Sequence, residues 1–314
     1  TGRRLAWARR LTGGQHPLVA RVIVNRAWMH LLGRGLVPTP GDWGALGARP
    51  THPALLDWLA DEFMGTGWSL KRLHRRIMGS ATYQQSARSD NATFALDPEN
   101  RLLSRGAVRR LDAESVRDAI LKISGSLDSK YGGPPVPIMA DRVGQWVIGI
   151  ENLNAGRPGP VIEMQGERFR RSIWVEVRRS RPLAVLDTFD RPAMEPNCTE
   201  RVSTTVASQS LLMMNSDFVV SQSARFAARL REVGSQPVDR VRHAWKLVYT
   251  TEPTTKQVHA AVAFVEEQTA LFREPSAEGG KKQSAAQQMS QAVDRAWSVF
   301  CQALLSSNRF LYLD

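Results

Sequence analysis

Apolar residues spaced three and four apart recur along most of the chain and predict a mainly helical fold. Leu5, Ala8 and Leu11 lie between two Arg pairs, a short basic helix over residues 3–12 that Gly13-Gly14 stops. Pro17 opens a second helix. From Leu18 to Leu32 nearly every position is apolar, so this helix is expected to be covered on most sides and to form the centre of a core. Pro53, at the first position of a third helix, is followed by Leu55, Leu56, Leu59 and Phe63 at inward spacing, and Gly65 and Gly67 end the run. Ser69 is placed to cap "LKRLHRRIMGSATYQQS", with Leu70, Leu73 and Ile77 inward and Lys71, Arg72, Arg75 and Arg76 outward. A polar stretch, "ARSDNATFALDPENR", separates it from "RRLDAESVRDAILKISGSLD", a helix expected from near Asp112 to Gly125.

Beyond Lys130 the pattern changes. "GGPPVPI" and "GRPGPV" are turn and extended chemistry, and "RRSIWVEVRRS" alternates Ile173, Val175 and Val177 with Trp174 and Glu176 as a strand does. Helical spacing returns over residues 208–230, 238–249, 254–272 and 289–305, and "REPSAEGGKKQSAAQQ" is expected to be a flexible surface loop. The expected fold is therefore mainly α, a helical bundle-like body with a loop-rich, small β-containing insert. The expected organisation is a single domain over 1–314: a helical part to residue 125, the insert over 126–190, and a second helical part over 191–314.

A hydrophobic content of 42% and nine Trp mark a chain that folds, and 42 Lys and Arg against 30 Asp and Glu leave a net charge of +12. Such a surface favours polyanions, whether nucleic acid, anionic lipid or anionic glycan. The two cysteines, Cys198 and Cys301, form no Cys-x-x-Cys-His haem motif and no zinc ribbon, and leave open one bridge between them. No apolar run reaches the ~18 residues of a membrane span. The opening "TGRRLAWARRLTGG" lacks the apolar core of a signal peptide, and the chain reads as an excised fragment.

Candidate chemistry gathers in two places. In "NRAWMHLLGRGLVPTPGDWG", Asn25, Arg26 and His30 stand within an apolar helix, and Arg26 and His30 share one face. They are either an anion clamp with an acid–base group or braces for the carbonyls of the following turn. That turn has neither G-x-G-x-x-G nor G-K-[ST]; Gly33 is expected as a helix C-cap and Asp42 as a turn former. His16, His52, His74, His243 and His259 fall in no metal-ligand spacing, so no metal site is expected.

The second cluster runs from 168 to 215. Arg178, Arg179 and Arg181 are expected to approach Asp187 and Asp190, either to bind an anionic ligand or to pair internally. Arg201, Ser203, Thr204, Thr205, Gln209 and Asn215 flank the start of an apolar helix, where free backbone N–H groups suit an anion or where a hydroxyl simply caps. Both groups of polar residues are expected to share one cleft.

Several blocks in fixed order then resemble a known family. "HPLVARVIVNR", the block from Asn25 to Phe63, "GWSLKRLHRRIMGSATYQQS", "RRLDAESVRDAIL", "RRSIWVEVRRSRPLAVLDTFDRP", "NCTERVSTTVASQSLLMMNSDFV" and "ALLSSNRFLYLD" are similar to domain of unknown function number fifteen fifty-three. This is the C-terminal domain of planctomycete cytochrome-c-like exported proteins. His16 stands where that family usually has Asn, Leu32 where an aromatic is common and Trp43 where Phe is usual. The resemblance implies an extracytoplasmic setting, periplasmic or cell-surface, and haem c on an upstream domain of the same polypeptide, with no cofactor in this chain.

The leading expectation is thus an accessory or binding module that recognises an anionic glycan or a protein partner. A carbohydrate-active hydrolase or lyase is the alternative, with Asp42, Asp187, Asp190 and His30 as candidate catalytic groups; glycosidase chemistry needs two carboxylates roughly 5–9.5 Å apart across an open cleft. Nucleic-acid binding comes third. The net charge favours it, but no helix-turn-helix, zinc-finger or RNA-binding signature accompanies that charge.

Overall fold

The computed structural model describes residues 2–154, 157–158, 162–193, 198–273 and 284–313, in two compact units. The first holds the chain up to Arg109, with short returns near 198–200 and at 313; the second holds the rest from Arg110 to Tyr312.

In the first unit the helices are α1 (Arg3–Thr12), α2 (Val19–Leu32), α3 (Pro53–Gly65), α4 (Leu70–Met78), α5 (Ala81–Gln84) and α6 (Asn91–Leu96). Its core forms where α2 lies on α3 and α4, with Val24, Trp28, Leu32, Leu56, Leu59, Phe63, Leu73 and Ile77 packed together. Pro53 starts α3 as expected, and the Ser69 hydroxyl accepts the Arg72 N–H to start α4. The run expected as one helix from Leu70 to Ser86 is two, because Gly79 ends α4 and Ser80 caps α5. Leu70, at the first position of α4, is half exposed rather than inward, which leaves Leu73 and Ile77 as the buried face. Helix α6 was hidden by its polar surroundings; Asp90 caps it by accepting the Thr93 N–H at 2.6 Å.

In the second unit α7 (Ala113–Ser124) ends at Gly125 in the left-handed conformation, matching the expected boundary. A small antiparallel hairpin follows, β1 (Ile138–Ala140) against β2 (Trp146–Ile148), with Met139 opposite Val147. Then come α8 (Ala184–Thr188), α9 (Ala207–Asn215), α10 (Asp217–Arg231), α11 (Pro237–Tyr249), α12 (Thr255–Arg273), α13 (Ala285–Leu305) and α14 (Asn308–Leu311). Helix α13 is central: α10 and α12 pack along it, and Phe226, Leu230, Val241, Val258, Ala296, Phe300 and Leu304 fill the space between.

The mainly α body and the small β-containing insert are as expected, but three local readings are corrected. "RRSIWVEVRRS" is not a strand: Ser172–Trp174 form a 3-10 turn, Val175 alone of the three alternating residues is buried, and Ile173 and Val177 face solvent. The cause is the Asp118 carboxylate on α7, which takes both the N–H and the hydroxyl of Ser172 at 2.7 Å and bends the chain there. The helix expected over 208–230 is broken at Ser216, whose extended backbone separates α9 from α10. Finally, Ser284 caps α13, so residues 285–288 of the expected loop are helical, while 274–283 lie outside the described residues. Cys198 is exposed and Cys301 buried, both free, so they form no bridge.

Candidate functional site

In the first unit, Asn25 is completely buried on α2. Its carboxamide acts as a one-residue strand: Nδ2 donates to the Val37 carbonyl at 3.0 Å, and the Val37 N–H donates to Oδ1 at 2.8 Å. This rung pins the turn after α2, and it dictates the turn's sequence. A Cβ at Gly35 would stand 2.6 Å from the Val37 carbonyl oxygen and within 2.9 Å of the Asn25 amide, so only glycine fits. Gly33 takes the left-handed cap at φ +83°, as expected. Arg26 and His30 sit on the exposed face of α2, so the bracing expected of all three residues falls to Asn25 alone. Asp42 is a turn former, its carboxylate accepting the Gly44 N–H at 2.9 Å.

In the second unit the cluster expected to receive an anion is already filled by one. The Asp190 carboxylate accepts from Arg110 at 2.7 Å, from the Thr204 N–H at 2.8 Å and from the Thr204 hydroxyl at 2.9 Å. Arg110 also donates to the carbonyls of Phe189 and Thr204, and Gln209 donates to those of Thr188 and Thr204. Burial pushes the Asp190 carboxyl up, but the hydrogen bonds from Thr204 and Arg110 outweigh it and hold the pKa below the ordinary carboxylate value. The Thr205 hydroxyl bonds that of Tyr312 at 2.8 Å, and Val206, not Ser203 to Thr205, stands at the N-cap of α9. Asn215 is the exposed last residue of that helix.

Beside this network lies an open cleft of about 640 Å3, within the size range of small-molecule sites. Glu114 and Asp118, four apart on α7, share one face and line it. Arg201 meets Glu114 with two hydrogen bonds, 2.6 and 3.3 Å, and Arg171 meets Asp118 at 3.1 Å. Arg178 and Arg191 complete the polar lining, and Val175, Leu183 and Leu186 supply the apolar part.

Two buried arginines hold the backbone that carries Arg171 and Ser172 to this cleft. Arg117, 1% exposed, donates to the carbonyls of Arg168 and Arg170 and to the Ser172 hydroxyl. Its burial pulls the pKa down to about 10 against the pull of Asp118, so it stays cationic at neutral pH. Arg170 donates to the carbonyls of Gly132 and Pro134 and to Glu167.

A family model described as PSD1, a protein of unknown function (DUF1553), matches residues 3–265, more than four-fifths of the chain. The chain belongs to the DUF1553 family. No curated protein and no solved structure matches it. The block similarities that run through this DUF1553 chain include the α7 segment with Glu114 and Asp118, and the Asp187 to Asn215 stretch. The Asn25 to Gly44 stretch falls in the first unit, and Asp187 to Ala193 with Arg201 to Asn215 in the second.

The ion pairs in this DUF1553 domain differ from those expected. Asp187 pairs with Arg191 at 3.0 Å and Asp190 with Arg110, while Arg178 pairs with Glu176 at 3.1 Å and stacks with Arg181 on Trp146. The Arg179 carbonyl accepts from Arg191. The sequence reading missed Arg110, Glu114, Arg117 and Asp118. The i, i+4 spacing of Glu114 and Asp118 was a usable signal, but Arg110 and Arg117 had none, because their hydrogen-bond partners lie 51 to 94 residues away. Among the described residues no three His, Cys, Asp or Glu side chains are grouped to hold a metal ion, and no helix is long and apolar enough to cross a membrane.

Proposed function

We propose that this chain is a binding module that holds a glycan, neutral or anionic, in the open cleft of the second unit. The observation that carries the reading is the lining itself: paired guanidinium and carboxylate groups share it with apolar side chains, and their mutual pairing fixes them in place before any ligand arrives. Planar groups of both kinds serve a polyhydroxylated ligand well, since each hydroxyl both donates and accepts. Rim arginines such as Arg171, whose side chain is 60% exposed and gives its Nε–H to Asp118, keep further N–H donors for a carboxylate or sulfate substituent.

The hydrolase reading is less well supported. A general acid for glycoside cleavage needs a carboxyl that keeps its proton near neutral pH, and Asp190 is held in the opposite state by Arg110 and Thr204. Asp187 is an exposed partner of Arg191, and Asp42 serves its own turn. The family resemblance supports the wider reading of this chain as an accessory module of an exported cytochrome-c-like protein, with haem on a separate upstream segment. A signal peptide and a Cys-x-x-Cys-His motif in the coding sequence upstream of Thr1 are the expected finding.

The binding reading is tested by titrating a panel of neutral, carboxylated and sulfated polysaccharides into the wild-type protein and an Arg171→Ala/Arg178→Ala double variant. At least one polymer is expected to bind the wild type and to lose about tenfold in affinity to the variant, roughly the worth of one charge-assisted hydrogen bond. Panel-wide silence, or equal affinity of the two proteins, would end the proposal.

A further inference from the structure

The pinned turn of the first unit forms one wall of a second, smaller cavity of about 200 Å3, below the ~300–1,000 Å3 of pockets for drug-sized ligands. Three arginines from separate segments line it: Arg34 from the turn, Arg101 from the loop after α6, and Arg109. Their charges are only partly compensated. Arg34 reaches Glu99 at 3.4 Å, with both side chains well exposed, a geometry worth little. Arg109 spends one N–H on the His30 carbonyl. The Arg101 guanidinium has no partner among the described residues.

The loop that carries Arg101 is over-determined. Asp97, 7% exposed, accepts the N–H groups of Arg101 and Leu102 at 2.7 and 2.8 Å, and Arg105 clamps the carbonyls of Asp97 and Pro98. This holds two non-glycine residues in the left-handed region, Asn100 at φ +52° and Leu103 at φ +57°. Leucine is strained there, and such strain persists only where the surroundings enforce it. In the turn, the backbone N–H groups of the buried Gly35 and Leu36 have no acceptor among the described residues, an arrangement that buried amides rarely tolerate. The wider field agrees. Residues 1–109 carry 16 Lys and Arg against 7 Asp and Glu, whereas residues 110–314 carry 26 against 23.

From these observations we infer that the cavity between the Gly33–Leu36 turn and the Asp97–Arg109 loop binds a tetrahedral oxyanion borne on a ligand of monosaccharide size, a sulfate or phosphate monoester. The guanidinium groups match the oxyanion, and Trp28, Leu32 and Leu103 offer apolar surface to the rest of the ligand. Glu99 is the competing carboxylate. The inference is independent of the cleft in the second unit.

The test is calorimetric titration, with amide chemical shifts as a second readout, of glucose 6-sulfate, glucose 6-phosphate, inorganic phosphate and glucose. The esters are expected to bind saturably and glucose not at all. Arg101→Ala, at an exposed side chain, is expected to keep its melting temperature and lose about tenfold in affinity, and Glu99→Gln to bind several-fold more tightly. Inorganic phosphate separates the sources: weaker binding than the esters assigns the sugar body a share, and equal binding assigns the site to the oxyanion alone. No saturable binding of any of the three anions, or an Arg101→Ala affinity within twofold of wild type, overturns the inference. The cleft variant Arg171→Ala/Arg178→Ala should leave these titrations unchanged, so that failure at one site is not mistaken for failure at the other.

Discussion

Asn25 has no exposed surface and both halves of its carboxamide are committed to Val37, itself only 2% exposed. Asn25→Ala would therefore leave a buried N–H and a buried carbonyl without partners, at about 1–3 kcal/mol for each group. A lowered urea midpoint with an unchanged slope is the expected outcome. Gly35→Ala should be at least as damaging, because its Cβ would collide with the Val37 carbonyl as well as with the pinned Asn25 carboxamide. Asp190 makes the complementary prediction about pH. Its folded pKa lies below the ordinary value, so its contribution to stability is complete above the unfolded carboxylate pKa near ~4 and is lost as pH falls through the folded pKa. Asp190→Asn should lose stability at neutral pH and show a flatter acid limb than the wild type when melting temperature is followed from pH 7 to pH 2.

At the scale of elements, what the sequence revealed and what it concealed follow from the range of the forces involved. Helices α2, α3, α7, α11 and α12 were legible because their signals are local: Pro53 at a first turn, Gly33 and Gly125 at last turns, and apolar residues at inward spacing between them. The segment after Arg170 was misread because its alternation is real but is overruled by Asp118, 54 residues earlier, holding Ser172. Arg117 was read simply as part of a helix, whereas it joins α7 to two stretches of backbone in the insert. Arg117→Met would keep the volume and relieve the burial of a charge, yet strand the carbonyls of Arg168 and Arg170. A net loss of about 2–4 kcal/mol in equilibrium unfolding is expected, accompanied by weaker binding at the cleft that Ser172 lines. Thr250 offers the opposite case. It ends α11 at φ +57°, where a β-branched residue is strained and glycine is not. Thr250→Gly should stabilise by a few tenths to ~1 kcal/mol, with the relief of strain partly offset by the freer unfolded chain; a fall in melting temperature would contradict this account.

For the molecule as a whole, the net charge of +12 proved less informative than its division. Residues 1–109 hold most of the excess, and helix α1, with four arginines, no acidic residue and no buried side chain, contributes much of it. Residues 110–314 carry only 26 Lys and Arg against 23 Asp and Glu, and the arginines of the cleft in the second unit are matched by carboxylates. Two kinds of binding with different salt responses should therefore coexist in one chain. Attachment of a long polyanion such as duplex DNA draws on displayed, unpaired charge and proceeds by counterion release, so its affinity should fall steeply and linearly on a log–log plot against salt. Binding of an uncharged polysaccharide in the cleft depends on fixed hydrogen bonds and should change little over the same range, since close pairs there are screened less than exposed charges. The decisive comparison uses Arg3→Ala/Arg4→Ala/Arg9→Ala/Arg10→Ala. Because α1 buries none of these side chains, the quadruple variant should fold normally, lose DNA affinity together with part of its salt slope, and retain the polysaccharide. If DNA binding instead survived with its slope unchanged, the excess charge would have to act from elsewhere in the chain.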